Sequence, residues 1–488
     1  MIGILLNDTA YEQDIRELLM AFYPGEKFVH EKTDGTEFDI EGTYLEPDKE
    51  QGARFRLRLL ENGKSAAERT FPIEYGERLA AKTVIKRALY EILSERTKKT
   101  LPWGTLTGIR PTKIALTRLE AGQSEDEIRA FMRDTYLTSE QKIDLGIEIA
   151  ARERELLRTI DYENGYSLYV GIPFCPTTCL YCSFTSYPIG AWAKRVPEYL
   201  EALAAELSYT AKRMEGRTLD TVYFGGGTPT SLKAEELDWL LCKIEELFDL
   251  SKVQEFTVEA GRPDSITEDK LRVLRKHGIT RISINPQTMN QKTLDLIGRR
   301  HTVEQVEEQF HLARELGFDN INMDLIVGLP GEGIEEVRHT MEKVRALSPD
   351  SVTVHSLAIK RAARLNLFRD QYEAYGITNT ADMIDMTARY AREMGLLPYY
   401  LYRQKNMAGN FENVGYALPG KACIYNILIM EEKQTIMACG AGTTTKAAFP
   451  AENRIERAEN VKDVGQYIGR IEEMLERKEK ALGKAGKQ

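Results

Sequence analysis

Cys175, Cys179 and Cys182 fall within eight residues at the spacing C-x3-C-x2-C, directly after an apolar run at 168–172 that reads as a β-strand. A loop this tight brings three thiolates close to one point, which suits a compact soft-metal cofactor. Thiolates hold iron–sulfur clusters, usually four at a time. With three local cysteines and no nearby fourth, a [4Fe–4S] cube keeps one iron without a protein ligand, and an open metal position can bind a substrate. A structural zinc site normally pairs two C-x2–4-C or Cys/His elements, and no second such element follows downstream. A disulfide is disfavoured, because the start Met1-Ile2-Gly3-Ile4 lacks the basic residues and long apolar core of a secretory signal.

The elements that must position this loop come from a regular alternation. Strands are expected at 168–172, 221–224, 255–259, 281–285, 320–326 and 351–357, with helices at about 194–214, 233–248, 267–278, 303–317 and 334–347. Six strands with a helix between each pair imply a parallel sheet, since each parallel neighbour needs a crossover. Eight strands would need two further units that the remaining chain does not clearly provide, so the fold class is α/β with a partial (β/α)6 barrel. Parallel barrels carry their chemistry at the C-terminal ends of the strands. The first strand ends in the cysteine loop and the second in Gly225-Gly226-Gly227-Thr228-Pro229-Thr230, whose absent side chains allow close backbone approach. The third ends at Glu259, the fourth runs toward Asn285 and Gln287, and the fifth contains Asp324. Any one of these alone reads as a turn or capping residue; five converging on one rim read as a site.

These motifs, Y-x3-P-F-C-x3-C-x-Y-C, G-G-G-T-P-T and D-L-I-x-G-L-P-G, together resemble the radical S-adenosylmethionine (SAM) superfamily. Within it they resemble the oxygen-independent coproporphyrinogen III oxidase family, over roughly residues 165–445. That family includes dehydrogenases and haem-chaperone relatives, and the extra N-terminal region points to its HemZ branch. The resemblance implies a [4Fe–4S] cluster on Cys175, Cys179 and Cys182 whose open iron chelates SAM, and an electron that cleaves SAM to a 5′-deoxyadenosyl radical. It implies that Gly226 and Gly227, with Thr228 in the same motif, contact the methionine end of SAM, with Glu259 nearby. Gln287 and Asp324 would hold the ribose, Arg299 would pair with the SAM carboxylate, and Tyr169 would lie by the cluster as the catalytic candidate. The chain departs from the family at three places. Gly171 stands where many members have histidine, Ser183-Phe184 follows where others continue to a fourth cysteine, and 425–430 replaces the H-N-x-x-Y-W motif of chaperone-like relatives.

Residues 1–150 read as a separate α+β domain, with strands at 2–6, 38–44 and 53–60 and helices at 13–22 and about 77–96. Arg110 and Lys113 flank Pro111, which suits a helix entry; a contact to an acidic substrate is the alternative. The barrel spans 165–375. Residues 376–488 form a C-terminal α+β region that covers the substrate. There 423–430 and 435–439 read as a hairpin, Cys423 and Cys439 as small buried residues, and 461–484 as one amphipathic helix. The stretch 399–406 interleaves aromatics with Arg403 and Lys405, candidates for stacking on a macrocycle and binding its propionates.

The hydrophobic and charged fractions, 42% and 29%, are those of a soluble globular protein. A net charge of −9 disfavours general nucleic-acid binding, and no apolar run is long enough for a membrane span. A cytoplasmic enzyme is expected, where thiols stay reduced. The resemblance implies oxidative decarboxylation of two propionates of coproporphyrinogen III to vinyls, giving protoporphyrinogen IX. The reaction needs an electron donor and an electron acceptor. A non-catalytic haem chaperone and a radical SAM tetrapyrrole methyltransferase are the alternatives.

Overall fold

The computed structural model describes residues 1–47, 52–74, 76–108, 110–358, 375–403 and 411–483. These divide into two compact units, Met1–Ala151 with Tyr402–Glu412, and Arg152–Leu401 with Asn413–Gln488. No helix among the described residues is long and apolar enough to cross a membrane.

In the first unit a five-stranded sheet runs in the order Phe28–Val29, Ile2–Leu6, Phe38–Leu45, Arg54–Glu61, Lys64–Pro72. Alternation places Ile2 and Ile4, Phe38 and Ile40, and Phe55, Leu57 and Leu59 on one buried face. That face shares a core with Ile15, Leu18 and Leu19 of the helix Glu12–Phe22 and Ile85, Leu89 and Leu93 of the helix Arg78–Thr97. The strand Lys64–Pro72 has no sequence forerunner above. It is a charged edge strand, joined to its neighbour by Asn62-Gly63, both at positive φ (50° and 74°). The unit also holds Trp103, fully buried, whose indole donates to Glu412 at 2.8 Å, while Lys142 pairs with the other oxygen of that carboxylate.

The second unit is built on β1 (Gly165–Ile172), β2 (Thr218–Gly226), β3 (Glu255–Glu259), β4 (Arg281–Ser283), β5 (Ile321–Val327) and β6 (Ser351–Ser356). All six are parallel and stand side by side in chain order. Helices Val196–Arg213, Ala234–Leu247, Glu268–Lys276, Val303–Glu315 and Ile334–Leu347 make the crossovers. Strands buried on both faces need near-continuous apolar runs, and β1 has seven buried residues among its eight.

The sheet continues past both ends of this set. Beyond β6 come the edge strand β7 (Leu397–Tyr402) and, next to β6 and antiparallel to it, β8 (Asn413–Ala417). Beyond β1 lie β9 (Thr435–Cys439), parallel to β1, then β10 (Thr444–Phe449) and β11 (Arg454–Glu459), both antiparallel to their neighbours. The two edges do not pair with each other among the described residues, so the arrangement is an open, partial barrel.

Two expectations for the C-terminal region are corrected. Residues 423–430 form no hairpin with 435–439. Ile424–Glu431 is a helix burying Tyr425, Ile427, Leu428 and Glu431, and β9 pairs instead with β1. Helical spacing of the buried positions decides over the β-branched composition of the run. The terminal amphipathic segment is two helices, Val464–Gly469 and Ile471–Leu482, meeting at Arg470.

Candidate functional site

The cysteine loop leaves the end of β1 and is held by bonds to its own entry and to the turn that follows the helix Gln291–Leu296. Leu180 N donates to Ile297 O at 2.9 Å, Tyr187 N to Pro173 O at 2.8 Å, and Thr177 Oγ1 to Gly298 O at 3.2 Å. Two buried guanidinium groups lie against it. Arg262, just past β3, grips Asp264 through two bonds of 2.9 and 2.6 Å and donates to Thr177 O and Oγ1 at 3.1 and 2.7 Å. Its Nη1 is 3.7 Å from Cys179 Sγ. Arg299 donates to Tyr181 Oη at 3.0 Å and to the carbonyls of Gly261 and Asn285 at 3.0 and 2.6 Å, while its Nε has no partner among the described residues.

Burial pushes the Cys175 thiol up to about 11, with Thr228 Oγ1 at 3.4 Å pulling the other way, and raises Cys182 as well. Buried thiols of this kind become good ligands when a metal displaces their protons, because a coordinating thiol is deprotonated outright. Two guanidinium groups beside the loop then offset the negative charge that bound thiolates bring. Donor set and electrostatics therefore fit an iron–sulfur cluster on Cys175, Cys179 and Cys182.

The glycine run has a geometric reason. Gly227 N donates to Ile172 O and Thr228 N to Phe174 O, each at 2.7 Å, locking the end of β2 to the entry of the cysteine loop. A Cβ on Gly227 would stand 2.6–2.9 Å from three backbone atoms of Ile172 and Phe174, and Gly226 sits at φ 103°. The close approach is thus backbone to backbone, and it sets where the first cysteine stands. Gly171 is equally constrained: a Cβ there would meet Thr443 Cγ2 at 2.4 Å.

Inside the barrel, the rings of Tyr169, Tyr223 and Tyr425 stack. Tyr223 and Tyr425 have centroids 4.5 Å apart at 24°, and Tyr169 and Tyr223 6.0 Å apart at 11°. Tyr223 Oη donates to Glu259 Oε1 at 2.5 Å. Burial pushes the Glu259 carboxyl up to about 7, and Asp324 adds to the shift. Burial also acts on Asp324, but His355, Asn322 and Thr353 outweigh it and hold this carboxyl below its ordinary value. Asn322 Nδ2 donates to Asp324 Oδ1 at 2.7 Å, and His355 Nε2 lies 3.9 Å from Oδ2. Gln287 is joined to the same strand: its N–H donates to Asp324 O at 3.0 Å and its carbonyl accepts from Ile326 N at 2.9 Å. It sits at φ 70°, in a region where a non-glycine residue is uncommon and where functional sites are enriched.

Tyr169, Gly226, Gly227, Thr228, Glu259, Gln287, Arg299 and Asp324 therefore stand with the three cysteines at the strand ends and in the interior of one barrel. Arg403 belongs to the first unit, where it is buried and donates to Leu106 O at 2.5 Å. Lys405 lies outside the described residues. Four residues of the site escaped the sequence reading: Arg262, Tyr223, Tyr425 and Arg281, whose guanidinium is buried in the barrel with Nε unpartnered among the described residues. Arg262 carried the clearest signal, a cation three residues past a barrel strand and immediately before Pro263.

Comparison with known proteins narrows the kinship. Residues 169–344 match the family model of the Radical SAM superfamily. The oxygen-independent coproporphyrinogen-III oxidase-like protein HemZ of Bacillus subtilis is 44% identical over 407 residues, 82% of this chain and 81% of that protein. The haem chaperone HemW of the same organism is 38% identical over 195 residues, 40% of this chain and 51% of HemW. Among solved structures, coproporphyrinogen III oxidase (HemN) from Escherichia coli, a radical SAM enzyme, matches with a TM-score of 0.53 at 23% identity, over 66% of this chain and 72% of that one. That match shows the fold.

Proposed function

The chain belongs to the HemN/HemZ-like family of the radical SAM superfamily, which uses a [4Fe–4S] cluster and SAM, and on that premise we propose that it is an oxygen-independent coproporphyrinogen III dehydrogenase. The observation that carries the proposal is the 44% identity to a coproporphyrinogen-III oxidase-like protein over four-fifths of both chains.

Each turnover would convert one propionate to a vinyl group. A hydrogen atom leaves the β-carbon, the bond to the carboxylate breaks to release CO2, and one electron passes to an acceptor. The β-hydrogen is not acidic, so no side-chain base can start the reaction. The bound cluster and SAM supply the radical that removes this hydrogen.

The chain's own residues hold and orient. Cys175, Cys179 and Cys182 carry the cluster, with Arg262 and Arg299 offsetting its charge. Asp324 and Gln287 bind the SAM ribose, and carboxylate and amide groups are suited to paired hydroxyls. Glu259 and the β2 glycines, with Thr228, take the methionine end. Tyr169, stacked on Tyr223 and Tyr425, forms an aromatic wall that fixes the reacting carbon and excludes water. The protein's share of such a reaction is positioning and exclusion. An electron donor and an electron acceptor are required as partners, and the cytoplasm, where thiols stay reduced, is the proposed place of action.

A second reading, a haem chaperone, is favoured by the likeness to HemW. Anaerobic incubation of the cluster-loaded protein with SAM, a reductant, an added one-electron acceptor and coproporphyrinogen III separates the two. A dehydrogenase forms protoporphyrinogen IX and 5′-deoxyadenosine; a chaperone forms neither and binds haem stoichiometrically.

A further inference from the structure

On two crossover helices of the barrel unit a second group of metal-ligating side chains converges. Asp238 and Cys242 stand four residues apart on the helix Ala234–Leu247, hence on one face. His277 caps the C-terminus of the next outer helix, Glu268–Lys276. One ligand atom from each of Asp238, Cys242 and His277 lies within 4.8 Å of the other two. The imidazole meets a carboxylate at each nitrogen: its Nδ1 is 2.8 Å from Glu245 Oε1, one turn beyond Cys242 on the first helix, and its Nε2 is 2.9 Å from Asp238 Oδ1.

We propose that Asp238, Cys242 and His277 bind a zinc ion, with Glu245 orienting the imidazole. A nitrogen, a sulfur and a carboxylate oxygen are the zinc donor types, and three protein ligands leave the fourth tetrahedral position to water. Zinc-bound ligand atoms stand about 3.3–3.8 Å apart, from the ordinary zinc–ligand bond lengths, so closure needs only small side-chain rotations. A carboxylate on the far nitrogen of a ligating histidine is the usual outer partner, fixing tautomer and ring direction. Access is open, since Cys242 is exposed, while the His277 ring is 3% exposed and gives a rigid anchor.

A histidine between two carboxylates also makes an ordinary ionic link between helices, and Lys276 Nζ at 2.6 Å from Asp238 Oδ1 belongs to such a link. Cys242 separates the two accounts, because a thiol has no part in the ionic one. The cluster-loaded protein, equilibrated anaerobically with zinc sulfate and desalted, should retain one zinc per chain by elemental analysis. Chelator competition should show Cys242→Ser binding zinc at least about tenfold more weakly, and Glu245→Gln about 10–100-fold more weakly as the loss of an outer partner. Iron content and SAM cleavage should be unchanged in both. Because Cys242 is exposed, its serine variant keeps the test valid even if a His277 variant folds poorly. Zinc uptake that is absent in the wild type, or equal in Cys242→Ser, would overturn the proposal and leave the ionic link alone.

Discussion

Two buried carboxylates in the barrel unit stand in opposite conditions. Glu206, fully buried on the helix Val196–Arg213, accepts from four donors: Gly440 N at 2.7 Å, Asn460 Nδ2 at 2.7 Å, Tyr467 Oη at 2.5 Å, and Lys478 Nζ, its ion-pair partner. Glu259 accepts from one described side chain, Tyr223, and faces a second carboxylate, Asp324. Close by, the Nε atoms of Arg281 and Arg299 are buried with no partner among the described residues. A closed polar centre fixes the packing of C-terminal helices against the barrel, whereas an open one stores binding capacity. Buried groups left unsatisfied cost stability, and such a cost persists where a ligand completes the set.

The largest effect should come from breaking the open centre at its metal ligands. Cys179→Ala should abolish cluster iron and all SAM cleavage after anaerobic reconstitution, whereas Cys242→Ala should keep both. Full iron retention in the Cys179 variant would remove the loop from its assigned role.

The closed centre should respond in stability alone. Removing one partner of a buried ion pair leaves the other uncompensated, so Glu206→Ala should lose about 3–5 kcal/mol in denaturant unfolding. Iron content at a temperature where the variant stays folded should not change. A stability loss matched by a selective loss of SAM affinity would mean the two centres are coupled.

Asp324→Ala should leave the cluster in place and weaken SAM binding by about 1.5–3 kcal/mol, the range for a hydrogen bond to a charged group. Equal SAM affinity in variant and wild type, by calorimetry, would return Asp324 to a purely structural place beside Asn322 and His355.

Glu259 gives the contrast a pH dependence. Its carboxyl is raised from 4.5 to about 7 by burial, so the folded protein binds this proton more tightly than the unfolded chain. Its contribution to stability therefore falls as pH rises from about 4.5 to 7 and levels off above. A cationic ligand favours the ionised form, so SAM affinity should grow as pH rises through 7. Glu259→Gln should flatten both profiles. A wild-type affinity independent of pH across this window would detach Glu259 from SAM.

The smallest effect concerns Arg403. Its bond to Leu106 O predicts that Arg403→Ala lowers the unfolding midpoint of the first unit. A raised KM for coproporphyrinogen III with an unchanged midpoint would instead restore it as a propionate anchor.

The open centre was the more legible of the two in the sequence. Cysteine spacing, the glycine run and strand-end polar residues are local signals, and all six parallel strands were located by apolar runs between helical periods. The closed centre was not legible, because Glu206, Gly440, Asn460 and Lys478 meet only through tertiary packing across more than 230 residues of chain. The run 424–431 misled for a related reason: isoleucine-rich composition suggests a strand, and only the buried side of Tyr425, Leu428 and Glu431 reveals the helix. The edge strand Lys64–Pro72 went unread because its polar composition carries no apolar run, although the Asn62-Gly63 turn before it is a hairpin signal that could have found it. Arg262 and Tyr223 lay beside recognised motifs, yet their partners, Thr177 and Glu259, come from other strand ends.

The account rests on one chemical claim, that this barrel removes a hydrogen atom from a propionate β-carbon. Coproporphyrinogen III deuterated at those carbons, incubated anaerobically with the cluster-loaded protein, SAM, a reductant and an added one-electron acceptor, tests it directly. The account predicts deuterium in the 5′-deoxyadenosine formed, with CO2 released in step. Unlabelled 5′-deoxyadenosine and no CO2, from a protein that binds haem stoichiometrically, would contradict it and establish the chaperone reading.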